Sequence, residues 1–436
     1  MLQKLEITRL KSEFMYIRIG SKALAFILCF LFVWVALTGA EKVLIPNIVN
    51  ISRDSTDAII IVDKSRQMLY VVKSYLSNPI VPADTFRVTT GKVNGNKEKE
   101  GDNRTPEGIY KIVGDIPGSQ LPPRYGPLAY VLDYPNFVDR LMGRTGSNIW
   151  IHGRNEEITD FQTKGCISLH NHSILELRPY IKVNRTRVII QDTIKNVTQR
   201  DYEIAKLRWK TYLANWKKSW EIGDTSTYFQ FYSEKFTTKT YPSLRSFKES
   251  KKALERRYPW KSIDISQILV LETKYESEIS FQQEYICPEF YSIGFKTLRL
   301  IPEKGLFLIV NEDFARTKTR TYIKDAIKNF LREWISSWES RDISKYISFY
   351  DSTFSSRGMN LEKWYSYKKE LFDKSGKIDI EIEKIQIKST KKLVWEVSFL
   401  QKYSSSIYKD YGRKILQLKN KPGHFKIASE KWERIR

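Results

Sequence analysis

Cysteine is scarce in this chain: Cys29, Cys166 and Cys287 are the three in 436 residues. Thiols this few and this widely spread do not make a disulfide framework, so the fold must rest on packed cores. Histidine numbers four, and the spacing of His152, Cys166, His170 and His172 matches no zinc site, so neither a metal nor another cofactor is expected. Acidic residues are in deficit, 50 against 73 Lys/Arg, for a net charge of +23. Most of the surplus lies in residues 193–436, with 48 Lys/Arg against 31 Asp/Glu. Such a surplus suits an anionic partner, or a basic solvated surface, since acids are interspersed throughout. Charge is absent altogether from Ala23 to Ala40.

That uncharged stretch sets the expected compartment. Lys4, Arg9, Lys11, Arg18 and Lys22 precede it, which is the order of a positive n-region before a hydrophobic segment. Basic residues stay on the cytoplasmic side, so everything after Glu41 is expected in the periplasm. Thr38-Gly39-Ala40 is a tolerable cleavage site, yet the segment is long for a signal peptide, and an uncleaved inner-membrane anchor at residues 23–40 is the preferred reading. Export also argues against a nucleic-acid partner. Apolar residues make up 41% and aromatics 13%, enough for real cores. The expected division is a signal or anchor at 1–40, a stalk at 41–56, a first domain at 57–192, and two further domains at 200–317 and 318–436.

Within the first domain, short apolar runs alternate with Gly/Pro/Asn turns. Ala58–Val62, Met68–Val72, Phe86–Thr90, Ile109–Val113, Leu128–Leu132 and Arg187–Ile190 read as strands, and Leu175–Val183 as a short helix. Residues 91–104 are a polar loop. The chemistry gathers in Ile149–Asn171. An apolar step delivers His152-Gly153, a polar loop follows, and Thr163-Lys164-Gly165-Cys166-Ile167-Ser168 returns. A thiol beside an imidazole is the pairing that cysteine nucleophiles need. A glycine before the cysteine allows close backbone approach and supplies an amide for an oxyanion.

The string His152-Gly153…Thr163-Lys164-Gly165-Cys166-Ile167-Ser168 resembles the active-site signature of the YkuD-type L,D-transpeptidases. Asp63–Val72 resembles the family's opening hairpin, and Arg104–Tyr110 its Thr-Pro-x-Gly turn. Tyr134-Pro135-Asn136 is similar to a subgroup that includes cell-shape L,D-carboxypeptidases. The resemblance implies a mostly-β, sandwich-like catalytic domain acting on peptidoglycan stem peptides. It implies Cys166 as nucleophile, His152 as general base, Gly153 orienting the imidazole and Gly165 lining the oxyanion site. Thr163, Lys164, Ser168 and Asn171 are the expected substrate contacts. Lys164 stands where many members have a second His, and Ser168 where many have Arg.

The tail is a duplication. Trp216, Trp220, Glu221, Asp224, Tyr228, Phe231, Tyr232 and Phe236 recur 118 residues later as Trp334, Trp338, Glu339, Asp342, Tyr346, Phe349, Tyr350 and Phe354. Each copy starts with helical spacing, Asp224 and Asp342 as N-caps, and ends in strands. The pattern resembles the nuclear transport factor-like cone, an α+β pocket scaffold. The tryptophans at helical spacing are expected in the cores, and no catalytic set recurs between the copies. The cones are candidates for oligomer or protein contacts.

Three functions follow as expectations. The favoured one is transpeptidation through a Cys166 acyl-enzyme with release of D-alanine. Hydrolysis of the same intermediate would instead trim tetrapeptides to tripeptides. An inactive wall-binding scaffold is the third.

Overall fold

The structure is a computed structural model that describes residues 48–53, 57–73 and 82–435. The expected signal or anchor lies outside the described residues. Among the described residues no helix is long and apolar enough to cross a membrane.

The first domain is built on one eight-stranded sheet. Its strands are β2 (Ile59–Asp63), β3 (Met68–Val72), β4 (Asp84–Arg87), β5 (Gly108–Pro117), β6 (Leu128–Leu132), β7 (Trp150–Arg154), β8 (Ile167–His170) and β9 (Arg187–Gln191). They lie in the order β4-β3-β2-β9-β5-β6-β7-β8. The β2–β9 and β7–β8 pairs are parallel and the others antiparallel. The two ends of this sheet meet, because Thr89, just beyond β4, bridges Ser168 of β8. Thr89 N donates to the Ser168 carbonyl at 2.8 Å and Ser168 N to the Thr89 carbonyl at 2.9 Å. The sandwich expected from the sequence is therefore a single sheet curled onto itself, with its two ends paired beside Cys166.

The continuous apolar run of β2 has a simple cause. Side chains alternate across a strand, and both of its faces are covered. Ile60 and Val62 join the domain's own core with Val71, Tyr110, Ile151, Ile167 and Leu169. Ile59 and Ile61 face the other way, into a second core shared with Tyr202, Leu269 and Leu271 of the first cone. The residues just before β2 belong to that joint too. Ile48–Asn50 (β1) pairs antiparallel with Leu269–Leu271, and Ile48 and Val49 are buried. This part of the expected stalk is thus an edge strand of the first cone, because its apolar side chains have a core to enter.

Each cone packs helices against an antiparallel sheet. In the first, the helix Gln199–Ile222 is capped by Thr198 and closed by Gly223 in the left-handed region. Its strands are β10 (Ser262–Glu272), β11 (Ser277–Ile286), β12 (Phe290–Glu303) and β13 (Leu306–Arg316). The duplication extends to single bonds. Trp216 Nε1 donates to Tyr232 Oη at 3.2 Å, and Trp334 Nε1 to Tyr350 Oη at 3.2 Å. Asp224 and Asp342 both cap helices as expected, and Trp216 and Trp334 are fully buried core residues. The boundary expected at 317/318 is less clean, since Thr321 and Tyr322 pair with β12 of the first cone. Trp260 then locks the cones together: it packs edge-on against Trp395 at 5.6 Å and donates to Ser389 Oγ at 2.8 Å.

Candidate active site

Parallel pairing of β7 with β8 sets Ile151 opposite Ile167 and His152 opposite Ser168. Ile151, Ile167 and Leu169 enter the core. By alternation His152, Ser168 and Cys166 share the other face, with Cys166 one step before β8 begins. The motif's two reactive side chains are thus presented side by side on one face of neighbouring strands.

The imidazole is fixed at one nitrogen. His152 Nδ1 lies 2.8 Å from the Gly153 carbonyl, and a carbonyl only accepts, so Nδ1 carries the proton and Nε2 is left as the acceptor. Tyr125 stands edge-on to the ring at 4.9 Å and also touches Trp150 at 5.3 Å. Burial pulls the imidazole below its ordinary 6.5, against the Gly153 hydrogen bond. Burial likewise pushes the Cys166 thiol above 9.0, and the Trp150 backbone and the Lys97 ammonium oppose it only in part. The thiol donates to the Asn148 carbonyl at 3.5 Å. Among the described residues no hydrogen bond joins it to His152. Both shifts favour the uncharged thiol and the uncharged imidazole.

Two glycines are dictated by space. Gly165 has φ +133° and a Cβ there would sit 2.9 Å from the Arg104 carbonyl oxygen. At Gly153 a Cβ would come within 2.5 Å of Asn171 Oδ1 and 3.0 Å of Ile174. Thr163 ties the turn: its hydroxyl donates to the Cys166 carbonyl at 2.7 Å and accepts from Gly165 N at 3.1 Å. The Gly165 N–H, expected to line the oxyanion site, donates to the Thr163 hydroxyl instead.

The four expected substrate contacts separate. Lys164 is exposed. Ser168 is buried on the reactive face, with a hydroxyl that has no partner among the described residues. Thr163 is committed to the turn. Asn171 lies against Gly153 and Gly126, behind β7, and its amide nitrogen bonds Asn155.

Sequence reasoning missed Lys97. The 91–104 loop is closed by Asp102, which accepts from Lys97 Nζ at 2.7 Å and from the N–H groups of Glu98, Lys99 and Arg104 at 2.8, 3.1 and 3.1 Å. Burial would raise the Asp102 carboxyl, but these donors outweigh it and bring it to about 2. The loop therefore holds a buried cation toward Cys166, in a domain whose motif lacks the usual arginine. Polar composition gave no sign of this, since the five-residue Lys–Asp spacing has meaning only once the loop is closed. Away from this site, a cavity of about 410 Å³ opens in the second cone. There the Lys368 ammonium lies 4.0 Å from the Trp338 ring centre.

Residues 57–190 match the L,D-transpeptidase catalytic domain family, YkuD. Residues 208–313 and 326–431 each match the Cds6 C-terminal NTF2-like domain. No curated protein matches the chain. Among solved structures, Bdellovibrio bacteriovorus Bd1075 aligns with a TM-score of 0.58 at 25% identity, covering 64% of this chain and 100% of that one. The helical cell shape determining protein Pgp2 from Campylobacter jejuni aligns with a TM-score of 0.49 at 28% identity, over 65% of this chain and 98% of that one. This chain thus carries a YkuD-family L,D-transpeptidase catalytic domain followed by two NTF2-like domains in tandem.

Proposed function

We propose that the protein is an envelope enzyme that acts on peptidoglycan stem tetrapeptides through a Cys166 acyl-enzyme. The observation that carries this reading is the shared reactive face of His152 and Cys166, with His152 Nδ1 bound to Gly153 and Nε2 left to accept. His152 Nε2 takes the thiol proton as sulfur attacks the carbonyl between the third and fourth stem residues. Because both groups rest neutral, deprotonation accompanies attack rather than preceding it. The Cys166 N–H stabilises the tetrahedral oxyanion, a type of contact worth about 3–4 kcal/mol. Collapse breaks the peptide C–N bond, His152 returns the proton to the leaving D-alanine amine, and a thioester remains. An amine of a neighbouring stem then forms a new amide and frees the thiol, which is L,D-transpeptidation.

Water as acceptor gives a tripeptide and makes the same site an L,D-carboxypeptidase. Tyr134-Pro135-Asn136 favours keeping this second reading, because it resembles the subgroup that includes cell-shape L,D-carboxypeptidases. Either activity needs a substrate found outside the cytoplasm, which fits the expected export and inner-membrane anchoring through residues 23–40. The test is intact-protein mass spectrometry after mixing with a tetrapeptide donor. The reading expects a mass gain equal to the donor less D-alanine, absent from Cys166→Ala. No adduct, or one that survives in Cys166→Ala, contradicts it.

A further inference from the structure

The β10–β11 turn of the first cone, Thr273–Glu276, projects onto the catalytic domain, and three consecutive side chains meet three different parts of it. Lys274 Nζ pairs with Glu107 Oε2 at 3.0 Å. The Arg144 guanidinium lies over the Tyr275 ring at 5.2 Å. Glu276 Oε1 accepts from Ile109 N at 2.7 Å and from Asn136 Nδ2 at 3.0 Å. The turn itself is preset, since Thr273 Oγ1 accepts from Glu276 N at 3.1 Å and donates to the Glu276 carbonyl at 3.0 Å.

Each partner leads one step further, to a wall of the cysteine site. Glu107 holds Lys64 at 2.9 Å, and Lys64 in turn donates to the Gly95 and Thr105 carbonyls at 2.6 and 3.2 Å. Those bonds fix both ends of the 91–104 loop, which carries Lys97 and whose Arg104 carbonyl abuts Gly165. Arg144 pairs with Asp139 at 2.8 Å and anchors the segment that reaches Asn148, the thiol's acceptor. Thr145 N on that segment donates to the Glu98 carbonyl at 3.0 Å, so the two walls are tied to each other. Asn136 begins the short helix bearing Asp139.

We infer that the Thr273–Glu276 turn is a positioning element of the Cys166 site, so that the first cone sets the geometry in which the catalytic domain works. Its side chains touch no reacting group; they act through Glu107 and Arg144. Glu276 is buried at the joint and the exposed Lys274 reaches the buried Glu107; a buried polar group costs free energy unless it is paired, so directional contacts of this kind fix one arrangement of the two domains. The full burial of Glu276, which raises its carboxyl to about 8, is consistent with a joint that excludes water.

The inference rests on Cys166 being the nucleophile, and its test keeps the two apart. Full-length Lys274→Met and Tyr275→Leu are compared with Lys274→Arg and Tyr275→Phe. Three properties are read: tetrapeptide turnover, the pH profile of Cys166 alkylation by iodoacetamide, and thermal unfolding. The Met and Leu variants are expected to lose about 10-fold in kcat with KM within about twofold, and to shift the alkylation profile. The Arg and Phe variants keep parental values. Folded Met and Leu variants with parental kcat and parental alkylation overturn the inference, as does an equal loss in the Arg and Phe pair. The two positions have different partners, so misfolding of one leaves the other to decide. Should the parent show no Cys166-dependent turnover, the functional reading fails, and the alkylation profile still tests the positioning.

Discussion

Gly165 and His152 show how single residues set the site's chemistry. At Gly165 the left-handed φ and the Arg104 carbonyl act together, so Gly165→Ala introduces both backbone strain and a 2.9 Å contact. The expected cost is about 1–3 kcal/mol with a marked loss of turnover, measurable by urea denaturation beside an activity assay. For His152 and Cys166 the pKa shifts oppose an ion pair: imidazole below 6.5, thiol above 9.0. Alkylation of Cys166 should therefore still be climbing at pH 9, where an ordinary thiol begins to level off. Turnover should fall on the acid side only below pH 6.5, since His152 must be neutral to take the proton. A thiol alkylated fast at pH 6 would show a preformed thiolate instead.

At the scale of elements, the 91–104 loop is the part most easily misjudged. It is polar and glycine-bearing, yet Asp102 makes it a closed clasp. The Asp102 carboxyl is held near 2 against an ordinary 3.8, so its contribution is present above 3.8 and lost as pH falls toward 2. Asp102→Ala should remove about 2 kcal/mol at neutral pH and release Lys97, seen as a lower denaturation midpoint and weaker acid sensitivity. Strands β3 and β6 were legible to the residue, because Met68–Val72 and Leu128–Leu132 are short apolar runs between turn residues. The His152–Cys166 face was legible through its motif. The partners of Gly165 N–H, Lys97 and Asn171 were not, since each is supplied only by the closed fold. Nor was Ile48–Asn50 legible as a strand, for the same reason: its strand partner lies at residues 269–271.

For the molecule as a whole, the catalytic sheet and the first cone share a core and a buried joint. At that joint burial raises Glu276 from an ordinary 4.5 to about 8. A raised acid holds its proton in the folded state while the unfolded chain releases it, so stability should fall as pH rises from 4.5 to about 8. Glu276→Gln keeps the acceptor oxygen and should abolish that slope, gaining on the parent by on the order of 5 kcal/mol between pH 4.5 and pH 8. Denaturation midpoints at pH 5 and pH 8 give the comparison. An unchanged slope would mean that Glu276 is ionised in the folded protein.

The central claim is that Cys166 opens stem tetrapeptides, and mass spectrometry of muropeptides incubated with the protein or with Cys166→Ala tests it most directly. The account predicts new 3→3 dimers from the parent protein, or tripeptides where water is the acceptor, and neither from Cys166→Ala. Unchanged muropeptides in both would contradict the enzymatic reading and leave the wall-binding scaffold.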